Sequence, residues 1–201
     1  MKTLVTKKAP DFTAPAVLGN GEIVDHYNLE EACREKYALL FFYPLDFTFV
    51  CPSELIALDK RLDQFKERNV EVITVSVDSQ YTHYAWRNTP TVEGGIGQVG
   101  YTMVADVSHK VCQRYGVEIK KDGVALRASF LIDQAGIVRH QTVNDLPLGR
   151  DIDEHLRIID ALQFHETHGD VCPAGWKNGE ISMKDTPEGV AEYLQQHAAT
   201  L

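Results

Sequence analysis

The chain has little of what membrane, secreted and nucleic-acid-binding proteins need. Its most hydrophobic run, residues 37–43, is far shorter than the roughly 20 residues that span a bilayer. The first ten residues contain lysines but no apolar stretch typical of a secretory signal, which favours a cytoplasmic location. A net charge of −9 argues against broad contact with nucleic acid or an anionic membrane. Small molecules and other proteins are therefore the expected partners.

Cysteines are also few and widely separated. The four lie at positions 33, 51, 112 and 172, and none of them forms a Cys-x-x-Cys pair. This spacing excludes the paired cysteines of a zinc site or of a dithiol redox site. In a reducing compartment, a cysteine in an unusual setting is more often catalytic than structural. The sequence predicts neither a metal nor an organic cofactor.

What the chain does have is enough apolar residues for one core. Its 201 residues are 44% hydrophobic, which suits a single domain with an appendage. Apolar runs predict buried strands, and helical spacing over residues 53–67 predicts a helix between the first two of these strands. A strand-helix-strand crossover implies a parallel pair, so we expect an α/β fold with a central mixed sheet flanked by helices. The predicted strands are residues 37–43, 70–77 and 128–133.

The second half of the chain adds a hairpin, a helix and a tail. The turn-prone residues 133–136 predict a hairpin that continues through residues 137–143. An apolar stripe predicts a helix over residues 151–164, after which glycine and proline become frequent. We therefore predict a main domain of residues 1–165 and a C-terminal extension of residues 166–201, the latter too poor in core residues to fold alone.

Cys51 is the residue with the strongest chemical signal. It lies where a buried strand gives way to a helix that has Pro52 in its first turn. Unpaired N–H groups and the helix dipole favour a thiolate there. A free cysteine is often only a small buried hydrophobe, but here Pro44 and Pro52 restrict the backbone and Thr48 can donate a hydrogen bond near the sulfur. Threonine is also common as a local cap.

The spacing of Pro44, Thr48 and Cys51 resembles the Pro-x-x-x-Thr-x-x-Cys signature of the peroxiredoxins. Residues 41–52 are similar to the typical two-cysteine members of that family, and the similarity extends over nearly the whole chain. This resemblance implies a thioredoxin-like fold and a peroxidase acting on hydrogen peroxide and small organic hydroperoxides. The further similar stretches are residues 78–79, Trp86, 143–150 and 168–176.

The resemblance also implies roles for individual residues. Cys51 would be the peroxidatic cysteine that attacks the O–O bond and becomes a sulfenic acid, while Pro44 would exclude water. Thr48 and the backbone N–H of Cys51 are the candidate donors to the peroxide. Arg127 would stabilise the thiolate and bind a peroxide oxygen, although an arginine beside a strand is otherwise usually a solvated edge residue.

Two further charged residues complete the expected site. Glu54 and Arg150 are similar to the pair in which a carboxylate orients the guanidinium groups of the site. On the sequence alone, either of them could instead be an ordinary surface charge.

A second cysteine has a role by resemblance only. Cys172 would be the resolving cysteine, which attacks Cys51 of the partner subunit to give an intersubunit disulfide. Thioredoxin or a dedicated flavoprotein reductase would then reduce that disulfide. A homodimer is thus part of the implied mechanism, and the family often assembles five dimers into a decamer. Cys33 and Cys112 match no catalytic position and are predicted to be non-catalytic.

Two other functions compete with the peroxidase. A thioredoxin-like disulfide oxidoreductase would have a similar sheet, but it needs a second cysteine three residues after Cys51, where this chain has Glu54. An oligomeric holdase chaperone, or a peroxide sensor that relays a disulfide, is compatible with the same cysteines.

Overall fold

A computed structural model of the protein describes residues 3–199 and divides into two compact units after Ile152. The predicted division into a domain of residues 1–165 and an extension of residues 166–201 stays a prediction. Within the described residues, no helix is long and apolar enough to cross a membrane.

The first unit is built on a seven-stranded mixed sheet, which confirms the predicted fold class. The strand order is β2-β1-β5-β4-β3-β8-β9, and a separate two-stranded hairpin is formed by β6 and β7. The strands are β1 Thr13–Val17, β2 Ile23–Asn28, β3 Tyr37–Phe42, β4 Val70–Ser76, β5 Thr102–Ala105, β6 Glu118–Ile119, β7 Val124–Ala125, β8 Arg127–Ile132 and β9 Val138–Asn144. The helices of this unit are α1 Leu29–Ala32, α2 Cys51–Asp59, α3 Leu62–Glu67, α4 Gln80–Asn88 and α5 Lys110–Tyr115.

The central strand β3 determines where the site lies. All six of its residues are buried, as expected for a strand inside a sheet with both faces covered. It pairs in parallel with β4, which confirms the predicted crossover, and antiparallel with β8. Because β8 runs in the opposite direction, its first residue, Arg127, lies beside the end of β3 from which the Cys51 loop emerges.

The prediction of a single helix over residues 53–67 is wrong. Residues 53–67 form two helices, α2 and α3, with a break at Lys60 and Arg61. The backbone N–H of Arg61 bonds to the carbonyl of Leu58, three residues back, and its φ/ψ of −110°/6° leaves the α-helical region. Leu62 and Phe65, which follow the break, are both buried.

Strands β1 and β5 were not predicted from the sequence. The strand β1 contains Pro15, which lies where the register with β2 shifts between Ala14 and Ala16. A proline at such an irregularity removes no ladder hydrogen bond that the sheet requires. The strand β5 has only four residues, too few for an alternating pattern to stand out.

Up to residue 199, the second unit consists of two helices and a connecting loop. Helix α6 spans Ile152–His168, four residues beyond the predicted end at residue 164, and helix α7 spans Pro187–His197. Between them, an isolated antiparallel bridge joins Val171 to Met183. Trp176, within the bridged loop, is almost completely buried.

Candidate active site

Cys51 is the first residue of helix α2. The preceding Val50 supplies no side-chain cap, so the N–H groups of the first turn depend on other partners. Pro52 follows directly, and the start of the helix agrees with the prediction from the sequence. The cysteine has no accessible surface, which places its sulfur in an environment where charge interactions are strong.

The hydroxyl of Thr48 contacts the sulfur. Its oxygen lies 2.9 Å from Sγ of Cys51 and 2.7 Å from the carbonyl oxygen of Leu45. A hydroxyl has one proton, so it can donate to only one of these two acceptors at a time. When Cys51 is a thiol, the hydroxyl can donate to Leu45 and accept from the S–H. When Cys51 is a thiolate, the hydroxyl must turn to the sulfur to donate.

A guanidinium group lies on the other side of the sulfur. Nη1 of Arg127 is 3.3 Å from Sγ of Cys51 and 2.8 Å from a carboxylate oxygen of Glu54. Its Nε donates to the carbonyl oxygen of Leu146 at 2.6 Å. The side chain is only 4% exposed, so Arg127 is not a solvated edge residue and its charge faces the sulfur with little screening.

Glu54 is held by a second arginine. Arg150 donates to it through its backbone N–H at 2.8 Å, through Nε at 2.9 Å and through Nη2 at 3.1 Å. Its guanidinium also stacks on the ring of Phe41, 3.3 Å from the centroid. Glu54 and Arg150 are both buried, so the alternative that they are ordinary surface charges does not fit the structure.

The electrostatics of this cluster follow from burial and pairing. Burial acts to raise the pKa of Glu54, but hydrogen bonds and charge from Arg150, together with the charge of Arg127, hold it below its ordinary value. Burial lowers the pKa of Arg150, and Glu54 opposes that effect. One carboxylate therefore faces two guanidinium groups, which leaves an excess positive charge beside the Cys51 sulfur.

A buried polar network at the loop between β3 and α2 was not predicted from the sequence. The buried ring of His83 places Nδ1 2.7 Å from a carboxylate oxygen of Asp46, and the hydroxyl of Tyr43 donates to the other oxygen at 2.6 Å. The backbone N–H of Asp46 donates to Asp78. Burial raises the pKa of Asp46, and His83 opposes this shift. This network fixes the chain between β3 and Thr48, and the buried position of Asp46 in a loop could not be read from its residue type.

The structure brings five of the seven predicted site residues into direct contact, namely Cys51, Thr48, Arg127, Glu54 and Arg150. Pro44 is buried at the end of β3, in the same unit as the cluster of Cys51, Thr48, Arg127, Glu54 and Arg150. Cys172 belongs to the second unit, where it is half-buried and its Sγ lies 3.5 Å from the carbonyl oxygen of Ala161.

The other two cysteines lie in different surroundings. Burial and the charge of Glu71 raise the pKa of Cys33 to about 12. Burial, with Asp106 nearby, raises the pKa of Cys112 as well. Both environments favour the neutral thiol, in contrast to the arginine and hydroxyl around Cys51.

Family models match most of the chain. A model described as the AhpC/TSA family matches residues 5–141, and one described as the C-terminal domain of 1-Cys peroxiredoxin matches residues 161–196. The second name refers to one-cysteine proteins, whereas the matched segment here contains Cys172. Together the two models cover both the active-site loop and the C-terminal segment.

Curated relatives and solved structures agree with these models. Alkyl hydroperoxide reductase C of Helicobacter pylori (strain ATCC 700392 / 26695) is 54% identical over 98% of this chain and 100% of its own length. Peroxiredoxin-1 of Gallus gallus is 47% identical over 97% of each chain. The reduced 2-Cys peroxiredoxin of Plasmodium vivax is 55% identical and superposes with a TM-score of 0.93 over 96% of this chain and 100% of its own. The protein therefore belongs to the AhpC/TSA family of peroxiredoxins.

Proposed function

We propose that the protein is a thiol peroxidase that reduces hydrogen peroxide and small organic hydroperoxides at Cys51. The observation that carries this proposal is the pair of donors on one buried sulfur, the Thr48 hydroxyl at 2.9 Å and the Arg127 guanidinium at 3.3 Å. Both are placed to stabilise a thiolate and to hold a peroxide oxygen beside it. The names of the relatives, alkyl hydroperoxide reductase and peroxiredoxin, support the same reaction.

The chemical step transfers one oxygen atom to sulfur. The Cys51 thiolate attacks one peroxide oxygen, the S–O bond forms, and the O–O bond breaks with its electron pair on the departing alkoxide or hydroxide. Protonation of that oxygen gives an alcohol or water, and Cys51 is left as a sulfenic acid. Arg127 would stabilise the charge that develops on the leaving oxygen, and Glu54 and Arg150 keep Arg127 oriented during the step.

Recycling uses the second cysteine. We assign Cys172 of the partner subunit as the thiol that attacks the sulfenic acid to give an intersubunit disulfide. Because Cys51 has no accessible surface, the first turn of α2 must open before a second sulfur can reach bonding distance. The absence of a side-chain cap at Val50, and the exposure of nearly all of Phe49, favour such local opening.

The reductant and the assembly belong to the same proposal. Thioredoxin or a flavoprotein disulfide reductase would reduce the intersubunit disulfide, and homodimers would assemble into a decamer. Large apolar side chains exposed on the first unit, Phe47, Tyr81 and Val107 among them, support burial against other subunits. A Plasmodium yoelii relative, 54% identical, is described as an artifactual octamer when modified at its N-terminus. The cytoplasmic location stays a prediction.

The test is peroxide-dependent NADPH consumption coupled through thioredoxin and thioredoxin reductase. Cys51→Ser should abolish turnover, whereas Cys172→Ser should form the sulfenic acid once and fail to recycle. Cys33→Ser is the matched control and should turn over like the wild type. Turnover by Cys51→Ser would contradict the proposal, and client protection by that variant without peroxidase activity would point to a redox-independent holdase.

A further inference from the structure

The loop that carries Cys172 is closed and anchored. Two backbone hydrogen bonds of 2.8 and 2.9 Å join Val171 to Met183. Inside the closed loop, the indole N–H of Trp176 donates to the carbonyl of Glu180 at 3.0 Å, and its ring packs on Phe164 with centroids 4.8 Å apart. The position of Cys172 is thus set by a small structured element, not by a free tail.

Arg157 ties this loop to helix α6. Its Nη1 donates to the carbonyl oxygen of Trp176 at 3.0 Å, while Nε and Nη2 donate to Glu154 at 2.6 and 2.7 Å. Because residues three and four apart share a helix face, Glu154, Arg157 and Ala161 lie along one side of α6. The carbonyl of Ala161 is the group that Sγ of Cys172 contacts. The guanidinium and the thiol therefore occupy the same face of the same helix.

The charges around Cys172 act in opposite directions. Burial raises the pKa of the thiol, the positive charge of Arg157 lowers it, and the carboxylate of Asp170 raises it. The Ala161 carbonyl can accept a hydrogen bond from the S–H but offers nothing to a thiolate, so it too favours the neutral form. Glu154 faces Arg157 from the same helix and weakens the field that Arg157 exerts on the sulfur.

We propose that Arg157 is a positioning residue for the resolving step, holding the Cys172 loop on α6 and keeping a positive charge beside the sulfur as it becomes a nucleophile. This inference rests on the proposed function. In the step, the Cys172 thiolate attacks the sulfur of the Cys51 sulfenic acid, the S–S bond forms and the S–O bond breaks. The departing hydroxide takes a proton to become water, and no outside oxidant or reductant is needed.

The expected size of the effect can be estimated. Arg157 is partly exposed and paired with Glu154, so its charge lowers the pKa of Cys172 only modestly. Removing that charge would leave less Cys172 thiolate near neutral pH, but the more basic thiolate is also more nucleophilic, which recovers part of the rate. The net loss without Arg157 is about threefold near neutral pH. At a pH above the Cys172 pKa of both proteins the thiolate fractions are equal, so the loss disappears and the more basic thiolate of the variant should react somewhat faster.

The test measures disulfide formation in the full-length reduced protein. One equivalent of hydrogen peroxide is added, samples are quenched by acid and alkylation, and the Cys51–Cys172 disulfide is followed over a series of pH values. Arg157→Gln should slow this step about threefold near neutral pH and match or exceed the wild-type rate in alkaline solution. Arg157→Lys keeps the charge and should restore most of the rate. Lys177→Gln, which removes an exposed charge from the same loop, is the matched control and should behave like the wild type.

The possible results separate the two proposals. A wild-type rate for Arg157→Gln at every pH, or a loss that is equal at every pH and is not restored by Arg157→Lys, would overturn the role of Arg157. Formation of the Cys51 sulfenic acid, measured in the same samples, should be equally fast in all four proteins. If the wild type itself formed no sulfenic acid and no disulfide with peroxide, the proposed function would fail instead.

Discussion

Two cysteines of this protein lie near an arginine that is paired with a glutamate, and the two arrangements differ in burial. At Cys51 the arginine is Arg127, whose side chain is 4% exposed. Near Cys172 it is Arg157, whose side chain is 22% exposed. Charge interactions weaken as exposure to solvent increases. The arginine should therefore exert a strong electrostatic effect on the Cys51 sulfur and a modest one on the Cys172 sulfur. Burial, rather than residue type, sets the strength of each site.

The largest expected effect comes from breaking the buried cluster at its carboxylate. Glu54→Gln leaves Arg127 and Arg150 buried beside a neutral amide, and loss of one partner of a buried ion pair costs about 3–5 kcal/mol. The urea midpoint at neutral pH should fall accordingly. Glu67→Gln, at an exposed position, should leave the midpoint unchanged. Equal midpoints for the two variants would contradict the cluster's role.

The same carboxylate predicts how stability depends on pH. The pKa of Glu54 is lower in the folded protein than its ordinary value of 4.5, so its contribution is complete above that value and is lost as the pH falls through the lower, folded pKa. The wild-type midpoint should therefore drop in acid by more than that of Glu54→Gln. Parallel acid dependence in the two proteins would show that Glu54 is not held ionised by its arginines.

The next largest effect is expected on the rate of reaction with peroxide. Arg127→Gln removes the charge 3.3 Å from the Cys51 sulfur and should slow the reaction of the reduced protein with hydrogen peroxide about a hundredfold. Stopped-flow measurement of one turnover gives this rate directly. Arg139→Gln removes an arginine that pairs with Asp133 away from the cluster, and it should retain the wild-type rate. A loss of less than threefold for Arg127→Gln would mean that the charge is incidental.

The Thr48 hydroxyl should contribute less than the Arg127 charge to the rate of reaction with peroxide. Thr48→Val removes the donor 2.9 Å from Sγ while keeping the shape of the side chain, and we expect about a tenfold slower reaction with peroxide. Thr48→Ser keeps the hydroxyl and should recover most of the rate in the same stopped-flow experiment. If valine and serine were equivalent, the contact would be one of packing only.

The smallest effects are expected at the two cysteines without a catalytic assignment. Cys33→Ala and Cys112→Ala should both keep the wild-type rate with peroxide, because burial raises the pKa of each thiol. In the folded protein, both thiols should also resist alkylation by iodoacetamide at mildly alkaline pH. Rapid alkylation of either one, read by mass spectrometry, would contradict its assigned environment.

Sequence patterns predicted the parts of the molecule that depend on local order. The buried runs became β3, β4 and β8, and Cys51 begins a helix as Pro52 indicates. The resemblance supplied Arg127, Glu54 and Arg150, whose charged side chains would otherwise be expected at the surface. They are buried because the three charged groups, which come from distant segments, pair with one another. No local sequence pattern indicates such long-range pairing.

The missed features depend on tertiary contacts. Strand β1 contains a proline, and its register shift is set by its neighbour β2. The buried pair of Asp46 and His83 joins residues 37 positions apart. The break between α2 and α3 lies at Lys60 and Arg61, just before the buried Leu62 and Phe65, and the apolar spacing of residues 53–67 does not mark it.

The most direct test asks which sulfur peroxide oxidises when Cys33, Cys51 and Cys112 compete. Reduced protein in a Cys172→Ser background is given less than one equivalent of hydrogen peroxide in the presence of dimedone, and the labelled cysteine is identified by mass spectrometry. The account predicts label at Cys51 almost exclusively, and loss of that preference when Arg127→Gln is added. Label shared evenly among Cys33, Cys51 and Cys112 would contradict the claim that the Thr48 hydroxyl and the buried Arg127 guanidinium select the reactive sulfur.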